Sequence, residues 1–184
     1  MQPLLCRPSR TMRRICYSVA TSLDGFIAGP NGETDWIVMD PEIDFTALTA
    51  RFDTVLMGRR TFEDAAASGG APMPGMTPVV VSRSLRQDEH PGVTVIGADL
   101  EAEIASLRAG PGKDVWLFGG GSLFRSLLDL GLVDAVEVTV VPVLLGDGVP
   151  LLSPPSARAS LRLTDSRVYE KTGIVSLEYA LTPL

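Results

Sequence analysis

Three short stretches put phosphate-binding chemistry at the ends of apolar segments. Thr54-Val55-Leu56-Met57 runs into Gly58-Arg59-Arg60-Thr61. An apolar strand that turns through glycine into a helix presents unpaired N–H groups and the positive end of a helix dipole. Thr61 adds a hydroxyl, and Arg59 and Arg60 add guanidinium groups that match phosphate oxygens in pairs. Val115-Trp116-Leu117-Phe118 runs likewise into Gly119-Gly120-Gly121, followed by Ser122 and Leu123. Three successive glycines cost backbone entropy, which makes sense where the chain must come as close to something as to a diphosphate. Val79-Val80-Val81 ends at Ser82-Arg83, a hydroxyl and a guanidinium suited to a ribose 2′-phosphate. Taken singly, each stretch also reads as an ordinary surface turn. Together they carry more weight, because parallel strands share one C-terminal edge and ligands bind there.

Other residues offer weaker chemistry. The stretch Ser22-Leu23-Asp24-Gly25-Phe26-Ile27-Ala28-Gly29 contains the turn signal Asp24-Gly25 and reads either as a hairpin or as a flap over a ligand. Asp35-Trp36 suits hydrogen bonding to and stacking on a flat ligand, or plain core packing. His90 is the single histidine and stands beside Pro91 in a polar stretch, which reads as solvated. One histidine and two cysteines at this spacing build no metal site. The chain has no P-loop, no G-x-G-x-x-G fingerprint and no G-x-S-x-G elbow.

The elements that must position these groups alternate between short strands and helices. Strands are predicted at Ile15–Ala20, Thr54–Met57, Pro78–Val81, Val93–Ile96, Val115–Phe118 and Val133–Val141. Helices are predicted at Pro41–Arg51, Arg60–Ala67, Leu100–Arg108 and Ser122–Leu130. Asp40 caps the first of these, with Pro41 at the first helical position, and Gly131 ends the last. Thr21–Trp36 reads as a long loop and Ser68–Met76 as a flexible one. Leu161–Leu163 and Ile174–Tyr179 alternate as a closing antiparallel hairpin. The pattern is that of an α/β domain over residues 13–184, with a mixed, mainly parallel sheet, behind a flexible segment 1–12.

Of 184 residues, 45% are hydrophobic and 21% charged, an ordinary globular balance. A net charge of -6 argues against a nucleic-acid or membrane-surface role. No apolar run approaches the roughly 20 residues of a membrane span. The arginine-rich start lacks the apolar core of a secretory signal and reads as a frayed start or a short transit peptide. Cys6 and Cys16 suggest no disulfide framework, and a cytoplasmic protein is expected.

SVATSLDGFIAG (18–29), TVLMGRRTFE (54–63), PVVVSR (78–83), DVWLFGGGSLFRSLLDLGLVD (114–134) and PVLLGDGVPLL (142–152) together resemble the dihydrofolate reductase fold. The chain is more closely similar to the C-terminal reductase domain of the bifunctional riboflavin-biosynthesis deaminase/reductase. The resemblance implies a three-layer α/β/α architecture with roughly eight strands, and NADPH as cofactor. It places Arg59, Ser82 and Arg83 at the 2′-phosphate and Gly58, Arg60 and Thr61 at the diphosphate end. Gly119, Gly120, Gly121, Ser122 and Leu123 wrap the diphosphate, with a cis peptide between Gly119 and Gly120. Ala20 and Ile27 meet the nicotinamide through their backbones. Asp35, Trp36 and Thr139 fall on the substrate side, and Asp24, Asp40 and Asp44 are the candidate proton donors. Asp40, Glu42 and Asp44 all lie near the acid of dihydrofolate reductases, and none aligns with it plainly. Asp35-Trp36 stands where that enzyme has Pro-Trp. The implied activity is reduction of a pyrimidine- or pteridine-like substrate, as in 5-amino-6-(5-phosphoribosylamino)uracil reductase. The alternatives are dihydrofolate reduction and a non-catalytic nucleotide or pterin binder. The zinc signature of the fused deaminase is absent. PVLLGDGVPLLSPP (142–155) reads either as a homodimer contact or as an internal packing loop.

Overall fold

A computed structural model describes residues 12–67 and 73–182. The expected flexible start lies outside the described residues up to residue 11, as does 68–72 of the expected flexible loop. The elements in order are β1 (Ile15–Ser22), β2 (Phe26–Ala28), α1 (Phe45–Thr49), β3 (Phe52–Gly58), α2 (Arg59–Ala67), β4 (Thr77–Val81), β5 (Thr94–Ile96) and α3 (Leu100–Ala109). There follow β6 (Asp114–Gly119), α4 (Gly121–Asp129), β7 (Ala135–Val141), β8 (Val149–Pro150), β9 (Ser160–Tyr169) and β10 (Ile174–Thr182).

Eight strands form one sheet in the order β5-β4-β3-β6-β1-β7-β10-β9. The six from β5 to β7 run parallel, and β10 and β9 close the sheet antiparallel. Alternation along each strand sorts side chains between two helical layers. Ile15, Tyr17, Leu56, Val115, Leu117, Val136 and Val138 pack with Ile104 of α3 and with Leu123, Phe124 and Leu127 of α4. On the opposite face, Cys16, Phe52, Trp116 and Ala135 meet Leu48 of α1, and Val55, Met57 and Val80 meet Phe62 of α2. The three-layer α/β/α architecture with its mixed, mainly parallel sheet is therefore present.

Four elements differ from expectation. α1 begins at Phe45, not Pro41, and Asp44 caps it by accepting from Ala47 N at 2.8 Å. Ile43 is drawn into a separate cluster with Val141, Tyr169 and Ile174, so the chain turns before the helix starts. Asp40 makes that turn instead of the cap: its carboxylate accepts from Glu42 N at 2.8 Å. The long loop 21–36 contains β2, which pairs antiparallel with β8. β7 starts at Ala135, and just before it the Asp134 carboxylate accepts from Ile15 N at 2.8 Å and pairs with Arg108 at 2.9 Å. β9 has ten residues where three were expected. It is the exposed edge of the sheet, so it lacks the strict alternation that a half-buried strand shows.

Arg13 is buried, although it belongs to the arginine-rich start. Its guanidinium donates to Asp53 and to Thr54 Oγ1, and its Nε to the Lys113 carbonyl. These contacts tie β1, β3 and β6 together at the N-terminal edge of the sheet. Arg13→Ala should lower stability by about 1–2 kcal/mol, because the buried Thr54 hydroxyl and the half-exposed Asp53 carboxylate lose a charged donor. The urea midpoint measures this; an unchanged midpoint would mean that the clamp contributes nothing.

Candidate functional site

β1 is paired on both sides only at its start. Its ladder with β6 covers Ile15–Tyr17, whereas its ladder with β7 runs from Cys16 to Ser22. The Ser18 carbonyl accepts from the Trp116 indole N–H at 2.8 Å. Beyond that point the sheet divides, and a cleft of about 1200 Å³ opens at the C-terminal ends of β1, β3, β4 and β6. All thirteen residues proposed from sequence for cofactor contact line it: Ala20, Ile27, Gly58, Arg59, Arg60, Thr61, Ser82, Arg83, Gly119, Gly120, Gly121, Ser122 and Leu123.

Two helices begin at this cleft. α2 starts directly at Arg59, and α4 starts after Gly120, whose extended backbone lies at the N-cap without a side-chain cap. Their first-turn N–H groups and dipoles make the cleft attractive to an anion. A Cβ on Gly58 would meet no atom within 4 Å. One on Gly119 or Gly120 would come within 3.6 and 3.8 Å of the Thr61 hydroxyl. These positions therefore keep the cleft open, and the peptide between Gly119 and Gly120 is cis. Gly121 has a different reason to be glycine, since its Cβ would overlap the Pro150 carbonyl oxygen and press on that of Leu151 at 3.2 Å.

The cationic side chains divide in a similar way. Arg59 pairs with Glu63 one turn along α2, at 2.9 Å, while Arg60 and Arg83 are exposed. Ser82 is buried, and its hydroxyl accepts from Leu85 N at 2.9 Å and Ser84 N at 3.2 Å. The hydroxyl thus shapes the turn that presents Arg83, and it lies 3.4 Å from the Ser84 hydroxyl.

The candidate acids lie elsewhere. Asp24 accepts from the Ser22 hydroxyl at 2.6 Å, from Gly146 N at 2.7 Å and from Leu145 N at 3.1 Å. The Ser22 hydroxyl, followed by those amides, holds its carboxyl below the ordinary carboxylate range, so it is ionised at neutral pH. Asp40 is buried; the Glu42 amide and the Thr172 hydroxyl keep it ionised in the same way. Asp44 caps α1. All three thus carry structural hydrogen bonds, and none is among the residues that line the cleft. Asp35 is exposed, and Trp36 packs against the cluster of Val141, Tyr169 and Ile174. Thr139 stands beside Ala20 in the β1–β7 register, with its hydroxyl 3.4 Å from that of Ser176.

Sequence reasoning missed part of the cleft wall. Pro30, Asn31, Gly32 and Thr34 line it from the loop after β2, and Glu63 from α2. Asn31-Gly32 is a turn signal that pointed to an ordered loop. Gly29 N donates to the Glu33 carbonyl at 2.8 Å, and the Asn31 amide to the Glu33 carboxylate at 2.6 Å. The spacing of Arg59 and Glu63 was readable as a helical pair.

The family model of the RibD C-terminal domain matches residues 13–175. The chain belongs to this family. The uncharacterized protein YyaP of Bacillus subtilis is 35% identical over 91% of the chain and 94% of its own length. A solved structure from Shewanella sp. PV-4, of a protein named for riboflavin biosynthesis, is 30% identical. It covers 94% of this chain and 100% of its own, with a TM-score of 0.77. A dihydrofolate reductase of Enterococcus faecalis complexed with NADP(H) shares the fold. It has a TM-score of 0.69 and 18% identity, over 94% of this chain and 99% of its own.

The two kinds of glycine can be separated by experiment. Gly121→Ala should lower the melting temperature by several degrees, because a backbone oxygen blocks the new methyl. Gly120→Ala should leave melting nearly unchanged. Thermal unfolding of both variants measures this; equal losses would contradict the division.

Proposed function

We propose that the chain is an NADPH-dependent reductase of a pyrimidine- or pteridine-like heterocycle. The observation that carries this reading is the convergence of two helix N-termini and three arginines on one cleft kept open by Gly58, Gly119 and Gly120. Those residues fit a dinucleotide phosphate chain. The α4 start and Thr61 would hold the diphosphate, with Arg60 beside it. Arg59 and Arg83 would take the 2′-phosphate from the ends of the neighbouring strands β3 and β4. Ala20 lies where β1 loses its β6 neighbour, so its backbone is available to the nicotinamide amide; Ile27 on β2 faces the same space. The bound cofactor supplies the hydride. The protein orients it, fixes its charge, and covers one side with the ordered 29–34 loop.

The family and the cofactor cleft together favour a substrate like that of the 5-amino-6-(5-phosphoribosylamino)uracil reductases, with dihydrofolate as the runner-up. A non-catalytic binder is a separate reading. What favours it is that Asp24, Asp40 and Asp44 are all bonded elsewhere. Under the reductase reading the proton comes from solvent. Single-turnover NADPH oxidation with both candidate substrates decides between enzyme and binder. Oxidation by either one supports the enzyme, whereas tight NADPH binding without oxidation supports the binder.

Arg59→Ala should weaken NADPH about 10-fold to 100-fold, the worth of a charge-assisted hydrogen bond, and leave NADH nearly untouched. Fluorescence titration with both nucleotides tests this. Equal losses would remove Arg59 from the 2′-phosphate.

A further inference from the structure

The cleft carries acidic side chains as well as arginines. Glu63 and Asp64 line it from α2, beside Arg59, Arg60, Ser82 and Arg83. Gly58 is opposite Val81 in the β3–β4 register, so the residues that follow them, Arg59 and Ser82, leave the sheet side by side. Neighbouring parallel strands are spaced by about 4.8 Å. Glu63 stands one helical turn beyond Arg59, on the same face of α2.

Both carboxylate oxygens of Glu63 accept from a single guanidinium nitrogen of Arg59, Nη1, at 2.9 and 3.0 Å. A guanidinium has five N–H donors in a planar fork. The pairing takes one corner of that fork and leaves the others able to meet a phosphate. The two side chains are 45% and 47% exposed, and an exposed pair of this kind adds little to stability. Its larger effect is on the charge that the cleft offers a ligand.

Arginine and carboxylate act oppositely at an adenosine ribose. A guanidinium accommodates a 2′-phosphate, whereas a carboxylate accepts from a free 2′-hydroxyl. A phosphate on the other side of the Arg59 guanidinium would lie within about 7 Å of the Glu63 carboxylate, inside the Debye length of roughly 8 Å. The two anions would repel. A ribose that carries only hydroxyls meets no such repulsion and donates to Glu63.

We propose that Glu63 sets the nucleotide preference of the cleft. It limits the advantage of a 2′-phosphate and admits a dinucleotide that lacks one, so the chain takes NADH as well as NADPH. Arginines alone would commit the cleft to the phosphorylated form. The proposal rests on the dinucleotide reading of the cleft and adds Glu63 as a specificity-determining residue.

Fluorescence titration of the full chain with NADPH and NADH, with competition by 2′,5′-ADP and 5′-AMP, tests it. The unaltered protein should bind NADPH no more than about tenfold more tightly than NADH. Glu63→Gln keeps the side chain's length and its acceptor for Arg59, and removes the charge. It should tighten NADPH about threefold to tenfold and weaken NADH about threefold, with the melting temperature unchanged. Competition by 2′,5′-ADP should show the same gain, and competition by 5′-AMP the same loss as NADH, which locates the effect at the adenosine ribose. An unchanged NADPH-to-NADH ratio in Glu63→Gln would overturn the proposal. Weaker NADPH binding by that variant would also overturn it, since Glu63 would then serve only to hold Arg59 in place. Undetectable NADH binding by the unaltered protein would do the same. Failure of the unaltered protein to bind either nucleotide would overturn the dinucleotide reading itself.

Discussion

Between Ile15 and Tyr17 the first strand is bonded to neighbours on both sides; from Ser18 onward it is bonded on one. Backbone groups must find partners or meet solvent, so a sheet that divides is a costly arrangement unless something enters the gap. Here the Trp116 indole satisfies Ser18 at the fork. Beyond it, β6 stays with β3 through Met57 and Gly119, while β1 stays with β7. The crevice, the two helix starts that point into it and the glycines that keep it clear all follow from that separation.

Carboxylates serve mainly to hold this architecture. Asp24 binds the loop after β7 to the turn after β1, Asp40 joins the segment before α1 to the β9–β10 turn, and Asp134 holds β1 and α3. An acid that accepts several hydrogen bonds stays ionised, and so serves better as an anchor than as a proton donor. The cleft's positive charges instead come from arginines and from the ends of helices, beside the carboxylates of Glu63 and Asp64.

The fold was largely legible because its inner strands are buried on both faces and read as unbroken apolar runs, as at Val79–Val81 and Val115–Phe118. The cleft was legible because glycine and arginine follow those runs directly. Less could be read where tertiary contacts overrule local preference. Pro41 has a suitable position for starting a helix, yet Ile43 is claimed by Val141 and Ile174, and the helix starts two residues later. β2 and β8 are too short to show a period, and β9 is too exposed to show one. One juxtaposition was hidden for a different reason. Ala20, Thr139, Ser176 and Arg167 come from four strands far apart in the chain, and only the register brings them into line.

The stretch from Val143 to Leu151 looks by position like a surface connection, the kind of segment where insertions are usually absorbed. It is in fact a strut. Leu23 N donates to the Val143 carbonyl, Asp24 takes the amides of Leu145 and Gly146, and Leu151 N donates to the Gly25 carbonyl. A Cβ on Gly148 would overlap the Ala28 carbonyl and one on Gly121 the Pro150 carbonyl, and the Leu151 carbonyl accepts from Tyr17. One side of this strut sets the height of β2 and the other sets the position of the α4 start. Lengthening it would shift both walls of the cleft at once, so the connection is bound to the cleft's geometry in spite of its solvent exposure.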